Sequence, residues 1–291
     1  MEVFRRALNP WGQEILIGLS WDLFWLAVAA GLLFMVVHAL YVRRWGGEPA
    51  VEETGTGVAP DSVERHGLRA RISHWLMAAL VLALLITAFF PIIGIQFPWV
   101  TIHWIAGVGF TAYLVFHTVD AIQRGWATRM LWIGREDLEE ARIEMARVRG
   151  QASENLPKQG KWGLANKLFH HGVVVAGLAA IVTGVLMTFR VDTPFWERNP
   201  YLFSDQLWGL IYVLHGVGSV GFVALTIVHV YFAARPDKWW ITLSMIFGTI
   251  SGEDYRRHHD PVRWPVGPTP SAGKQEPELA LASRSNLQGE A

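Results

Sequence analysis

The chain has 291 residues, of which 52% are hydrophobic and only 17% charged, and its formal net charge is zero. Soluble domains carry about a quarter charged residues, so this balance excludes an ordinary soluble protein, and the neutral charge does not indicate a nucleic-acid partner. Cysteine is absent, which excludes disulfides, cysteine-bound iron–sulfur clusters, covalently attached haem and zinc ribbons within this chain.

Long apolar runs predict an all-α integral membrane protein, an up-and-down bundle of five transmembrane helices. A run of about twenty apolar residues can cross a bilayer as a helix. The predicted spans are 22–41, 72–92, 100–122, 168–190 and 207–233. The first is predicted to be a retained helix rather than a secretory signal, because its apolar core is too long for a signal sequence.

Basic residues are concentrated in alternate connections between the spans. They are frequent in 43–71, in 123–167 and after the fifth span, whereas 91–99 has no charge and 191–206 has one basic residue, Arg198. Because basic loops stay in the cytoplasm, we predict a multi-pass protein of a bacterial inner membrane. Its N-terminus would be periplasmic and its C-terminus cytoplasmic.

The remaining segments are predicted to lie outside the bilayer. Residues 136–148 have the charge pairs of a short surface helix, and 238–250 is apolar but too short to span, as in a helix lying in the membrane interface. Residues 50–61 form a predicted linker, and 265–291 a predicted disordered tail. The chain therefore divides into an N-terminal helix and linker (1–62), a four-helix membrane unit (63–264) and a tail (265–291).

Histidines recur at fixed intervals within two of the predicted spans. His215 and His229 are 14 residues apart, nearly four helical turns, so both leave one helix face about 21 Å apart along the axis. His103 and His117 repeat this spacing in the third span. A histidine inside a membrane needs a hydrogen bond or a metal. Two matched pairs predict two stacked b-type haems, each held by two histidines.

The predicted orientation sorts these histidines by depth. Only His103 and His215 lie at the outer level, so they would pair around an outer haem. At the inner level His229 has several possible partners, and the residues alone do not choose among them. These are His38, His74, His117, His170 and His171.

Small and basic residues near the histidines fit the same hypothesis. Glycines would open a slot for the porphyrin, and they are Gly107, Gly109, Gly216, Gly218 and Gly221. Arg69 and Arg71 are placed for the propionates of an inner haem, and Arg198 and Arg190 for those of an outer haem. A non-redox scaffold or transporter is the hypothesis of a different class, and the uninterrupted spans count against it.

Several motifs add a likeness to a known family. They are Arg71-Ile72-Ser73-His74-Trp75, His103 with Gly107, Asn166-Lys167, Thr183-Gly184-Val185, His215 with His229-Val230-Tyr231, Met245 with Gly248, Ser251 and Glu253, Arg257-His258-His259 with Pro261, and Trp264. With these motifs, residues 65–264 resemble the cytochrome b (gamma) subunit of membrane-bound formate dehydrogenase and related dihaem b-type cytochromes. Cytochrome b subunits of hydrogenase and of thiosulfate or tetrathionate reductase complexes share the four-histidine pattern, and they are the alternative.

The resemblance implies a four-helix dihaem core with the first span as an addition. It implies that His103 and His215 bind the iron of the outer haem, and His74 and His229 that of the inner haem. The chain would be an electron-transfer subunit rather than the catalytic subunit of an oxidoreductase.

The resemblance also implies partners on both sides of the membrane. A periplasmic iron–sulfur (ferredoxin-like) subunit with a molybdopterin catalytic subunit would exchange electrons at the outer haem. Menaquinone or ubiquinone would bind near the inner haem, and further cofactor-binding residues would be Arg71, Asn166, Lys167 and His170. Of the family's polar run before the fourth span, this chain keeps only Asn166-Lys167.

Overall fold

A computed structural model describes residues 2–45, 60–125, 132–150 and 158–266. The predicted linker 50–61 lies outside the described residues except for its last two, and so does the predicted tail 265–291 except for Pro265 and Val266.

Helices make up most of the described chain. They are α1 Asp22–Trp45, α2 Leu68–Phe89, α3 Trp99–Gln123, α4 Arg135–Val148, α5 Leu164–Met187, α6 Asp205–Ala234, α7 Trp239–Phe247 and α8 Gly252–His258. Four short strands are β1 Phe4–Leu8, β2 Glu14–Leu19, β3 Ser62–Glu64 and β4 Thr249–Ser251. In the described ranges five helices, α1, α2, α3, α5 and α6, are long and apolar enough to cross a membrane. The predicted bundle of five spans is therefore confirmed.

Four of the five spans pack as two neighbouring pairs. Helix α2 lies along α3 and α5 lies along α6, while α3 and α5 join the pairs and α1 packs on α6. Gly31 permits the α1–α6 approach, because a Cβ there would lie 2.9 Å from Ile227. Thr87 is the one buried residue of α2. Apolar side chains such as Leu68, Ile72 and Leu82 are exposed along one side of the helix, as is typical of a helix that meets lipid.

A β-hairpin that the all-α prediction omitted precedes α1. Strand β1 pairs antiparallel with β2, and Asn9 Nδ2 donates to Asp205 Oδ2 at 3.1 Å at the start of α6. Leu16 packs against Gly209, where a Cβ would come within 2.7 Å. The sequence signal for this hairpin is Gly12, a turn-forming residue between the two strands. In the structure Gly12 ends the turn with a φ of +76°.

Segments 60–66, 158–163 and 239–266 form a compact unit, here called the cap, at the end of the bundle where α2 begins. Strand β3 pairs antiparallel with β4, and the cap has a small apolar core of Val63, Ile250, Tyr255 and Trp264. The predicted helix 238–250 is shorter in the structure. It ends at Phe247 because Gly248 adopts a φ of +97° and leads into β4. The predicted surface helix 136–148 is confirmed as α4.

Arg65 is the polar centre of the cap and is only 2% exposed. Its guanidinium lies 5.5–5.6 Å from the ring centres of Trp162, Trp240 and Trp264 and donates to His259 Nε2 at 2.9 Å. Burial lowers the pKa of Arg65 to about 10 and that of His259 to about 4. Near pH 7 a neutral His259 therefore accepts a hydrogen bond from a charged arginine.

The cap also fixes where α2 starts. The backbone N–H groups of Arg65 and His66 both donate to the Gly248 carbonyl at 2.9 Å. Helix α2 begins at Leu68, so these hydrogen bonds position its first two turns, which carry Arg71 and His74.

Candidate functional site

The structure brings together two pairs of histidines from different helices. His103 of α3 and His215 of α6 have ring centres 6.2 Å apart. His74 of α2 and His229 of α6 have ring centres 6.0 Å apart. His215 and His229 are 14 positions apart in the sequence, which separates the two pairs by about 21 Å along α6.

Hydrogen bonding fixes which nitrogen of His103 carries the proton. His103 Nδ1 lies 2.8 Å from Thr87 Oγ1. Thr87 donates its one hydroxyl proton to the carbonyl of Ala83 at 2.7 Å or of Leu84 at 3.0 Å, so its oxygen can only accept from the imidazole. Nδ1 is therefore the donor, and the Nε2 lone pair is available to a metal.

His215 is held in the same tautomer. Its Nδ1 lies 3.0 Å from Thr183 Oγ1 and 3.1 Å from the Ala180 carbonyl, and a carbonyl can only accept. A Cβ at Gly184 would lie 3.2 Å from His215 Cε1. The Thr183-Gly184 motif thus has a physical meaning: the threonine orients the imidazole and the glycine leaves room for it.

At the other level the structure places His74 beside His229. Within the described residues, the ring contacts of His229 are with His74 and with Phe169, which stacks on it at 5.2 Å. The other candidates make different contacts. His38 Nδ1 shares a hydrogen bond with Tyr231 OH at 3.0 Å, His117 stacks on Tyr113 at 6.1 Å, and the rings of His170 and His171 are 6.3 Å apart.

The ring separation of each histidine pair is what a metal ion held between two imidazoles would require. An imidazole nitrogen binds a first-row metal at about 2 Å, and the ring centre lies about 1 Å further away, so two axial rings should be about 6 Å apart. The observed separations are 6.2 and 6.0 Å. In the described parts of the chain no group of three or more histidines or acidic residues could hold a metal ion. A porphyrin suits these pairs because it supplies the remaining four nitrogen ligands itself.

Two of the predicted slot glycines, Gly216 and Gly218, lie where α6 closely approaches its neighbours. A Cβ at Gly218 would lie 3.0 Å from the Ala176 carbonyl of α5. Gly216 lies against Leu19 of the hairpin, where a Cβ would come within 3.0 Å. Small residues therefore bring α6 close to its neighbours, and this determines where its two histidines stand.

The predicted basic partners differ in their surroundings. The Arg190 guanidinium lies 5.1 Å from the Trp208 ring and 5.7 Å from Tyr212, one helical turn before His215. Arg198 is exposed and 3.6 Å from Asp192. Arg71 donates to the Ile246 carbonyl, and Arg69 pairs with Asp120.

The predicted quinone contacts cluster at the start of α5. Asn166 is exposed and His170 half-buried. Lys167 is 7% exposed, and its Nζ donates to Asp137 Oδ2 at 2.6 Å and to the Trp132 carbonyl at 3.1 Å. Lys167 therefore already forms an ion pair with α4.

Asp137 is a buried residue that the sequence did not single out. Burial alone would raise the pKa of its carboxyl, but hydrogen bonds from Lys167 and the Gly134 N–H, with the charge of Arg263, hold that pKa below its usual value. Nothing in the sequence signals this burial, because an acidic residue on a predicted surface helix is normally exposed.

We expect the two threonines to contribute unequally to haem retention. In Thr87→Val the His103 Nδ1–H loses its hydroxyl acceptor and keeps only a contact with the Leu84 carbonyl, so haem affinity should fall about 10- to 100-fold. In Thr183→Val the Ala180 carbonyl still accepts from His215, so the loss should be smaller. Transfer of haem to apomyoglobin measures both.

Thr111→Val is the matched control, because among the described residues Thr111 hydrogen-bonds only to the Gly107 carbonyl of its own helix. Equal haem loss from Thr87→Val and Thr111→Val would show that the hydroxyl does not orient the ligand.

A family described as prokaryotic cytochrome b561 matches residues 65–248, which include both histidine pairs, Thr87 and Thr183, but neither α1 nor the hairpin. No curated protein matches the chain.

Proposed function

The chain belongs to the prokaryotic cytochrome b561 family and is therefore a membrane b-type cytochrome that functions in electron transfer. We propose that it binds two haems and carries electrons across the membrane. The observation that carries the proposal is the presence of two histidine pairs, at 6.2 and 6.0 Å, on opposite halves of one helix bundle. Family membership favours this redox role over a non-redox scaffold or transporter.

The residues of each pair have defined tasks in this proposal. When bound, haem supplies a one-electron redox centre. Thr87 and Thr183 keep the Nε2 lone pairs of His103 and His215 available. Phe169 stacks on His229 and restricts its ring.

We propose menaquinone or ubiquinone as the electron partner at the inner level. The support is the position of His170 and Asn166 at the start of α5, which also carries Phe169 against His229. These polar groups lie at the end of a membrane helix, where a quinone headgroup meets water and protons.

The proposed partner at the outer level is a periplasmic iron–sulfur subunit with a molybdopterin catalytic subunit, as in formate dehydrogenase. The support is that motifs of that resemblance continue to Trp264, beyond residue 248 where the family match ends. Without cysteine, this chain has no thiolates for iron–sulfur clusters, so they would belong to the partner. The matched segment itself is equally compatible with a hydrogenase or thiosulfate-reductase type of complex.

Quinol reduction of the purified protein in nanodiscs tests the proposal. We expect menaquinol or ubiquinol to produce the reduced b-type α band without any partner. His103→Ala, which disrupts the outer pair, should keep this reaction, whereas His74→Ala should lose it. The proposal fails if dithionite reduces the wild type and neither quinol does.

A further inference from the structure

A groove of about 660 Å³ lies between the start of α2 and α7, within the range of ligand pockets of about 300–1,000 Å³. Its apolar lining comes from Leu68, Ile72, Trp75 and Leu76 of α2 and from Met245 and Ile246 of α7. Arg71 is the one charged residue that lines it.

The groove is open towards the lipid. Leu68, Ile72 and Trp75 are 63%, 60% and 52% exposed, and all three lie in the first turns of a membrane-spanning helix. In water such a surface would be unfavourable, whereas at the membrane boundary an acyl chain covers it.

The cation in this groove lacks a counter-charge. Arg71 Nη1 donates to the Ile246 carbonyl at 2.6 Å, and its buried Nε has no hydrogen-bond partner. Among the described residues no acidic side chain pairs with Arg71, whereas Arg69, two residues earlier, is neutralised by Asp120 Oδ1 at 2.7 Å. An apolar groove that contains one unneutralised arginine is complementary to a molecule with an anionic head and a hydrocarbon chain.

We propose that this groove binds one acidic phospholipid, with the phosphate at Arg71 and an acyl chain along Ile72 and Trp75. A basic pocket between membrane helices at the bilayer boundary suits an anionic headgroup, and one arginine contact is worth about a fivefold preference over a neutral lipid. Arg71 donates to the Ile246 carbonyl of the cap, two residues from the Gly248 carbonyl that accepts from Arg65 and His66, so the lipid would bind where α2 is anchored.

Native mass spectrometry tests this proposal on the full chain, released from nanodiscs of equal phosphatidylglycerol and phosphatidylcholine. The wild type should retain one phosphatidylglycerol with about a fivefold preference, and Arg71→Gln should lose that preference. Arg69→Gln, at the same depth, should keep it. Retained preference in Arg71→Gln would overturn the proposal. If that variant instead shifted the haem α band, the anion at Arg71 would be a haem propionate.

A second variant tests the groove without touching the arginine. Met245→Trp should fill the groove and reduce bound phosphatidylglycerol to the level of Arg71→Gln. Leu168→Trp, at a site 54% exposed on α5, should leave lipid retention unchanged. Equal retention in both tryptophan variants would contradict an acyl chain in the groove.

Discussion

His215→Ala is expected to halve the haem content of the protein, and His103→Ala should remove the same haem. The reason is that the two imidazoles, 6.2 Å apart, would hold one iron between them in the proposed dihaem protein, so loss of either would remove a bond that the other cannot replace. His74→Ala and His229→Ala should each remove the second haem and leave the first. Pyridine haemochrome analysis per protein, with the α-band spectrum of what remains, measures both effects.

His117→Ala is the matched control for the inner pair. His117 lies on α3 as His103 does, but its ring stacks on Tyr113 and not on His229, so both haems should be retained. If His117→Ala removed the inner haem while His74→Ala left it intact, the pairing of His74 with His229 would be wrong.

Asp137→Ala is expected to destabilise the protein by about 3–5 kcal/mol, because it leaves the charge of Lys167 buried without its partner. The side chains of the pair are 9% and 2% exposed, with Lys167 Nζ and Asp137 Oδ2 2.6 Å apart. Arg263 keeps a second acidic partner in Glu136 at 2.9 Å, so the effect should come mainly from Lys167. Thermal unfolding followed by tryptophan fluorescence measures it.

A control variant and a double variant test whether the buried charge of Lys167 is the cause. Asp192→Ala breaks an ion pair whose side chains are 68% and 66% exposed, and it should cost less than about 1 kcal/mol. Asp137→Ala combined with Lys167→Met should recover part of the lost stability, because a methionine leaves no buried charge. If Asp137→Ala and Asp192→Ala had equal effects, α4 would not be anchored by this pair.

The five spans could be predicted from the sequence because length and hydropathy are local properties of a segment. A bilayer requires about twenty apolar residues, and all five predicted runs are helices in the structure. The pairing of His103 with His215 followed from depth alone, since no other histidine lies at that level. Helical spacing also placed His215 and His229 on one face.

The partner of His229 could not be predicted from its depth in the membrane. His38, His74, His117, His170 and His171 all lie near the depth of His229, and depth did not choose among them. The resemblance indicated His74, and the packing of the helices places it against His229. This choice depends on how α2 and α6 are rotated about their axes, which is set by contacts with neighbouring helices, such as that of Gly218 on α6 with Ala176 on α5.

The tautomers, the buried ion pair and the cap were decided by contacts between residues far apart in the chain. Thr87 meets His103, Lys167 meets Asp137, and Arg65 meets His259 across 194 residues. Spacing within a segment carries no information about such contacts. Composition and periodicity therefore establish a membrane bundle with histidines at two depths. Only the tertiary structure decides which nitrogen of His103 and His215 carries the proton, and that Lys167 is paired with Asp137. The physical reason is that hydrogen bonds and ion pairs depend on distances of a few ångströms between elements, which helix packing sets.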